Sequence, residues 1–171
     1  SMAPLLEYLF DSPYEQIRLD PDACDFAFGN PQTMPLSGFT EVLQKWLTPQ
    51  NKDWFAYKLS EPAPREAIAA ALRDWLGLPF EAEDIAMTTG AFAGLSVLCS
   101  VLTEPGDEII FNMPGWFFYE PIIAQMGGTP VCVRTNPQSF DLDLDAIAAA
   151  ITPRTRAVIV NSPNNPSGRI Y

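Results

Sequence analysis

The residues best suited to binding a ligand stand near the end of the sequence, in the segment Asn161–Gly168, which reads Asn-Ser-Pro-Asn-Asn-Pro-Ser-Gly. The preceding apolar run, Ala157–Val160, is too short for a helix and rich in β-branched residues, which predicts a buried strand of a parallel sheet. Pro163 and Pro166 fix the backbone, so the loop should hold the amide of Asn165 in one place. An amide both donates and accepts hydrogen bonds and can meet a phenolate or a carboxylate. The alternative is an ordinary turn without a ligand.

A second candidate site is the turn Thr88–Gly94, where the predicted strand Ile85–Thr89 runs directly into the predicted helix Phe92–Leu102. Gly90 lets the backbone turn sharply, which leaves the first N–H groups of the helix without partners. Those donors and the positive end of the helix dipole suit a phosphate. The alternative is that this turn only begins a helix.

A third candidate site, Asn112–Tyr119, follows the predicted strand Glu108–Phe111 and contains four successive aromatic residues. An aromatic ring offers a flat apolar surface on which a planar cationic heterocycle can stack. Trp116 is the candidate for that role. The alternative is that the aromatic run belongs to the core, and we assign Phe117 and Phe118 there.

The elements that position these loops alternate between strand and helix. The predicted strands are Ile85–Thr89, Glu108–Phe111, Thr129–Arg134 and Ala157–Val160, and the predicted helices between them are Phe92–Leu102, Phe117–Met126 and Asp143–Ile151. Repeated strand–helix–strand units predict an α/β fold, a three-layer and mostly parallel sheet with helices on both faces. Open sheets of this kind bind ligands at the carboxyl ends of their strands, where the candidate loops are expected to meet.

Two further helices are predicted before the first strand of that series. Ser37–Leu47 carries apolar residues at helical spacing, with Ser37 as its cap. Arg65–Leu76 also has one apolar face and is followed by Gly77, which is typical of a helix end.

Composition excludes several classes of function. The net charge of −11 argues against nucleic acid and anionic membranes as partners. The absence of histidine excludes histidine-based triads and histidine metal sites, and we expect no metal. Three cysteines without a paired motif predict reduced, mostly buried thiols in a cytoplasmic protein. No apolar run reaches the about 18 residues of a membrane span, and no signal peptide is evident.

The three loops, in this order, resemble those of the class I/II aminotransferases, fold-type-I enzymes that use pyridoxal 5′-phosphate (PLP). Asn161–Gly168 is similar to the family signature Asn-Pro-x-Asn-Pro-Thr/Ser-Gly, with Ser162 in place of the first proline. In the family the second asparagine, here Asn165, binds the 3′-oxygen of the pyridine ring and helps hold the substrate carboxylate.

The resemblance also implies roles for the other two loops. The residues after Gly90, which are Ala91 and Phe92, would donate backbone N–H bonds to the PLP phosphate. Phe92 stands where the family often has a polar side chain, so we expect only its backbone to contribute. Trp116 would stack on the pyridine ring, and Tyr119 occupies the position of a family tyrosine.

Two residues of the N-terminal part have roles that only the resemblance implies. Gly29, in the segment Phe26–Pro31, would lie beside the substrate. Tyr57 would reach across a homodimer to the phosphate of the neighbouring subunit. The family usually has a glycine and a longer spacer where this chain has Pro64 and Arg65. That departure leaves a second interpretation of Tyr57 as an interface or packing aromatic.

The Schiff-base lysine of the family lies well downstream of the Asn-Pro signature. Lys45, Lys52 and Lys58 are the lysines here, and all precede the predicted sheet. We therefore expect no catalytic residue in this chain, a lysine beyond its last residue, and no activity from the chain alone. The expected division is an arm with the first helix at residues 1–48 and a truncated PLP-binding domain at residues 49–171.

The resemblance implies that the parent enzyme transfers an amino group between an amino acid and a 2-oxo acid. We expect a cytoplasmic homodimer without nucleic-acid or membrane partners. Two alternatives stay open: a PLP-dependent lyase or synthase of the same fold, and an aminotransferase-like binding module without catalysis.

Overall fold

A computed structural model describes residues 3–26, 29 and 33–171 of the chain. The chain divides into two compact units, an N-terminal unit that ends at Ala86 and a sheet unit that runs from Met87 to Tyr171. The domains predicted from the sequence, residues 1–48 and residues 49–171, describe how a complete enzyme would be divided. That division stays a prediction.

The N-terminal unit is helical. Its elements are α1 (Ala3–Asp11), α2 (Tyr14–Ile17), α3 (Ser37–Leu47), α4 (Pro62–Leu76) and a short 3-10 helix (Ala82–Asp84). The bounds of α3 are the predicted ones, but Leu36 rather than Ser37 occupies the capping position. The helix predicted from Arg65 begins three residues earlier, because Pro62 and Pro64 both fit a first turn, whose N–H groups have no intrahelical partner.

The sheet unit confirms the predicted α/β fold. Its elements are α5 (Ala91–Leu102), β1 (Glu108–Met113), α6 (Tyr119–Gln125), β2 (Thr129–Arg134), α7 (Leu144–Ala150) and β3 (Thr155–Ile159). The strands are parallel in the order β2-β1-β3. The connection through α6 moves to one side of β1 and the connection through α7 crosses back to the other. Right-handed crossovers therefore place these two helices on opposite faces of the sheet.

The core forms around β1, which is the central strand. Ile109 and Phe111 pack with residues of α5 and α6, including Cys99 and Ile123. Side chains alternate along a strand, so Ile110 points to the other face, where it is also fully buried. Burial on both faces explains the continuous apolar run Ile109–Phe111 within β1.

One predicted strand is absent from the described residues. Ile85–Thr89 pairs with none of the described strands. The N–H of Ile85 closes the 3-10 helix by bonding to Ala82, and the next turn is closed by a bond from Gly90 to Thr88. A strand forms only when it is hydrogen-bonded to a neighbouring strand. The periodicity of one segment does not show whether the segment has such a neighbour.

Two burial predictions were wrong. Phe117 lies in the turn before α6 and is 46% exposed, whereas Phe118 does pack against the core. Of the cysteines, Cys99 is buried on α5, but Cys24 and Cys132 are exposed. Cys132 is exposed because β2 lies at an edge of the described sheet. Among the described residues no helix is long and apolar enough to cross a membrane.

Two carboxylates hold the amino-terminal edge of the sheet. Glu108 is buried; it accepts hydrogen bonds from the Thr152 hydroxyl at 2.6 Å and from Arg154 at 2.7 Å. Asp107 pairs with Arg156 at 2.9 Å. The bond from Thr152, with that from Arg154, holds the pKa of Glu108 below its usual range. The bond from Arg156 lowers the pKa of Asp107 in the same way.

These two carboxylates should make stability depend on pH. Folding lowers the pKa of Glu108 and Asp107, so their contribution is complete above the unfolded values of about 4 and is lost as pH falls through the folded values. Thermal unfolding between about pH 7 and pH 3 measures this dependence of stability on pH. Glu108→Gln should be less stable than wild type at neutral pH and lose that difference on acidification, whereas Glu41→Gln on α3 should follow wild type. A Glu108→Gln deficit that stays constant with pH would contradict this account.

Candidate functional site

The loops after β1 and β3 meet at the carboxyl edge of the sheet, because the two strands are parallel neighbours. Asn164 in the loop after β3 is buried, and its Nδ2 donates to the backbone oxygen of Pro114 in the loop after β1, at 3.1 Å. The same nitrogen lies 2.8 Å from the hydroxyl oxygen of Ser167. One buried amide thus fastens the two loops together. The sequence did not reveal this role, because Asn164 and Pro114 are 50 positions apart.

The loop after β3 is a closed turn that carries Asn165 in an exposed position. Gly168 donates its N–H to the oxygen of Asn164 at 2.7 Å, and Asn164 donates its own N–H to the oxygen of Arg169 at 2.8 Å. Gly168 has a φ of 72°, a left-handed conformation that favours glycine. Asn165 is exposed, so its amide is accessible to a ligand while the rest of the loop is held from inside. Its binding role stays a prediction.

Arg169 connects this loop to the segment after β2. Its Nε lies 2.7 Å from Oδ1 of Asp141, in the segment after β2. Hydrogen bonds from Ser139 and from Arg169 hold the pKa of Asp141 below its usual range, so the pair is charged at neutral pH. The hydroxyl of Tyr171 also donates to the oxygen of Phe140 in that segment. The guanidinium of Arg169 is therefore engaged in holding the loop.

The turn before α5 has the geometry of an anion site. Gly90 begins the helix with a φ of 91°, and the hydroxyl of Thr88 donates to its oxygen at 3.0 Å. The first bond of the helix runs from the N–H of Gly94 to Gly90, so the N–H groups of Ala91 and Phe92 precede the intrahelical bonds. Among the described residues no side chain caps them, and no acidic residue lies in the first turn. Backbone donors at the positive end of a helix suit a phosphate, which is the role the sequence predicts.

The aromatic side chains join this turn to the loop after β1. Trp116 is half-buried and packs against the core. Its ring meets that of Phe92 edge-on, with centroids 5.6 Å apart, and that of Tyr119 at 5.5 Å. Tyr119 is buried, and burial raises the pKa of its hydroxyl, so it stays protonated at neutral pH. The side chain of Phe92 thus contacts the candidate stacking residue, a contact that is separate from the backbone role predicted for Phe92.

The loop after β1 depends on Gly115, whose role the sequence did not reveal. A Cβ at Gly115 would lie 2.3 Å from the backbone oxygen of Asn112, a distance that real Cβ atoms do not show. Asn112 itself is buried, with its Nδ2 donating to the oxygen of Ile159 at 3.4 Å. Its Oδ1 has no partner among the described residues. The close approach at Gly115 fixes where the chain places Trp116, the next residue.

The remaining predicted site residues belong to the N-terminal unit. Tyr57 is fully exposed, and a Cβ at Gly29 would have no atom of the described residues within 4 Å. The segment Phe26–Pro31 lies partly outside the described residues. The structure thus brings together the predicted residues of the sheet unit, and the roles of Tyr57 and Gly29 stay predictions.

Comparison with known proteins identifies relatives of one kind. The family model for aminotransferase class I and II matches residues 22–171. A probable aspartate/prephenate aminotransferase of Thermus aquaticus is 40% identical over 123 residues, which cover 71% of this chain and 32% of that protein. An aspartate aminotransferase of Geobacillus stearothermophilus is 40% identical over 111 residues, covering 64% of this chain and 28% of its own.

Solved structures give the same result. An aminotransferase of Eubacterium rectale superimposes with a TM-score of 0.83 at 31% identity, covering 100% of this chain and 44% of its own. The aspartate aminotransferase of Thermus thermophilus with maleate superimposes with a TM-score of 0.74 at 34% identity, covering 84% of this chain and 38% of its own. The chain thus spans about a third of the length of the curated relatives it matches.

Proposed function

The chain belongs to the family of class I and II aminotransferases, and on that premise we propose that it forms the N-terminal part of a PLP-dependent enzyme that transfers an amino group between an amino acid and a 2-oxo acid. The observation that carries the proposal is the joining of three loops at one edge of the sheet. The amide of Asn164, in the loop of Asn165, is hydrogen-bonded to the loop of Trp116. The ring of Phe92, at the start of α5, packs against the ring of Trp116.

The residues present fit PLP. The backbone N–H groups of Ala91 and Phe92 would hold the phosphate, since they precede the first intrahelical bond and lack a side-chain cap. Trp116 would cover one face of the ring, and Asn165 would bind the ring oxygen from its exposed position. When bound, PLP supplies an electron sink that stabilises negative charge on the substrate carbon.

The chain's own residues would bind and orient the reactants. The positive end of α5 offsets the charge of the phosphate. Trp116 keeps water from one face of the ring, and the amide of Asn165 orients both the ring oxygen and the substrate carboxylate. In this proposal Gly29 lies beside the substrate, and Tyr57 reaches the phosphate of a second subunit, which makes the enzyme a homodimer.

The proposed substrates are amino acids and 2-oxo acids as a class. Relatives of this chain are named as acting on aspartate, prephenate or aromatic amino acids, so their names do not select one substrate. We place the enzyme in the cytoplasm, because none of the three cysteines of this chain is in a disulfide and free thiols are typical of a reducing compartment.

Cofactor binding and amino-group exchange by the full-length enzyme test the proposal. We expect one PLP per subunit, and exchange between aspartate or an aromatic amino acid and a 2-oxo acid, measured by product formation. Pyridoxal without phosphate should bind more weakly, because the turn before α5 then has no anion to hold. Absence of PLP binding would overturn the proposal. PLP binding with elimination or condensation products, and no exchange, would favour the lyase or synthase alternative.

A further inference from the structure

Three rings from two elements form a small cluster beside the candidate site. We call Phe92, Trp116 and Phe118 the aromatic triad. Each ring meets the other two: Phe92 and Trp116 at 5.6 Å and 86°, Phe92 and Phe118 at 5.1 Å and 76°, Trp116 and Phe118 at 5.2 Å and 61°. Centroids at these separations and steep angles are the edge-to-face geometry that aromatic pairs prefer.

The triad contact of Phe92 differs from the other ring contacts of Trp116. Within the described part of the chain, Phe117, Phe118 and Tyr119 also meet the Trp116 ring, but they are its neighbours in sequence. Phe117 and Phe118 lie in the turn before α6, and Tyr119 is the first residue of α6. Phe92 belongs to the first turn of α5, so its ring is the aromatic contact that relates Trp116 to the helix start.

Phe92 thereby contributes to both parts of the candidate cofactor site, the phosphate donors and the stacking surface. Its backbone N–H lies among the donors at the start of α5, and its side chain lies against the ring that would stack on the cofactor. A phosphate and a pyridine ring in one molecule have a fixed separation. The surfaces that hold them must therefore keep a fixed separation too.

We propose that Phe92 is a positioning residue, whose ring sets the orientation of Trp116 relative to the phosphate donors of α5. This inference rests on the proposed function, because it concerns the same PLP site. It assigns a role to the side chain of Phe92, at a position where the family often has a polar side chain.

The test compares cofactor affinity and the state of Trp116 in the full-length enzyme. Phe92→Leu removes the ring, Phe92→Tyr keeps it, and Phe117→Leu is the matched control, because Phe117 is also 46% exposed. Titration with PLP and with inorganic phosphate gives the affinities. The ¹⁹F spectrum of 5-fluorotryptophan, assigned by the loss of one resonance in Trp116→Phe, reports the cofactor-free environment of Trp116.

We expect Phe92→Leu to shift or broaden the Trp116 resonance and to weaken PLP binding about two- to tenfold, the range of an aromatic pair. Inorganic phosphate should bind as in wild type, because the N–H donors remain. Phe92→Tyr should keep both readouts at their wild-type values. Phe117→Leu removes a ring that lies 6.2 Å from that of Trp116 but does not belong to α5, so it should shift the Trp116 resonance and leave PLP affinity as in wild type. Phe92→Met, which keeps an apolar side chain without a ring, should behave as Phe92→Leu and gives a second comparison if the leucine variant does not fold.

An unchanged Trp116 resonance and an unchanged PLP affinity in Phe92→Leu and Phe92→Met would overturn the inference while leaving the proposed function intact. So would equal losses of PLP and phosphate affinity, because the backbone turn would then be what changed. Failure of the proposed function has a different signature: wild type would not bind PLP at all, whatever the Trp116 resonance shows.

Discussion

Replacing Asn165 with alanine in the full-length enzyme is expected to lower kcat/KM about ten- to a hundredfold, with a much smaller loss of PLP affinity. The change removes hydrogen bonds to charged oxygens, worth about 1.5–3 kcal/mol, and the stated loss follows if most of that is felt in the transition state. The loop itself should survive, because its contacts run through Asn164, Ser167 and Gly168 rather than through Asn165.

Steady-state kinetics with a PLP titration measure the effect of Asn165→Ala. Trp116→Ala is the contrasting variant, in which cofactor loss should be the leading symptom, because the stacking surface is gone while Asn165 remains. If Asn165→Ala keeps the wild-type kcat/KM, or if its only defect is unfolding, Asn165 is a turn residue and the ordinary-turn interpretation holds.

Gly115→Ala is expected to destabilise the full-length enzyme by about 3 kcal/mol, the upper end of the usual range for overpacking. The new Cβ would lie 2.3 Å from the backbone oxygen of Asn112, at the carboxyl end of the central strand. A backbone atom there cannot move without disturbing β1, so the loop should shift instead. PLP affinity should fall as well, because Trp116 follows directly.

Denaturant unfolding measures the stability of Gly115→Ala, and Gly94→Ala serves as the control in the same unit. A Cβ at Gly94 would lie 3.2 Å from the hydroxyl of Thr88, which is a side-chain atom that can rotate away. Alanine also favours the helix that contains Gly94. We therefore expect a change of less than about 1 kcal/mol there. Wild-type stability and PLP affinity in Gly115→Ala would contradict the steric account.

Local patterns predicted the elements with strong periodicity. α3 and β2 have the predicted bounds, Ser37–Leu47 and Thr129–Arg134. The prediction failed at Ile85–Thr89, because a strand needs a hydrogen-bonded neighbour and none of the described strands pairs with this segment. It also failed at Phe117, because a run of aromatic residues does not show which of them the turn before α6 leaves exposed.

The residues of the candidate site also fall into two groups, those that a local motif indicates and those whose role depends on a contact distant in sequence. Asn165, Trp116 and Gly90 could be proposed from short motifs, since each stands at the end of a strand or the start of a helix. Asn164 and the ring of Phe92 could not, because their partners are distant in sequence. These contacts turn three separate motifs into one site.

The most direct test of the central claim is the structure of the full-length enzyme with PLP bound. The account predicts the phosphate within hydrogen-bond distance of the N–H groups of Ala91 and Phe92, the pyridine ring stacked on Trp116, and its 3′-oxygen within hydrogen-bond distance of Asn165. PLP bound away from these residues, or a ring on which Trp116 does not stack, would contradict it.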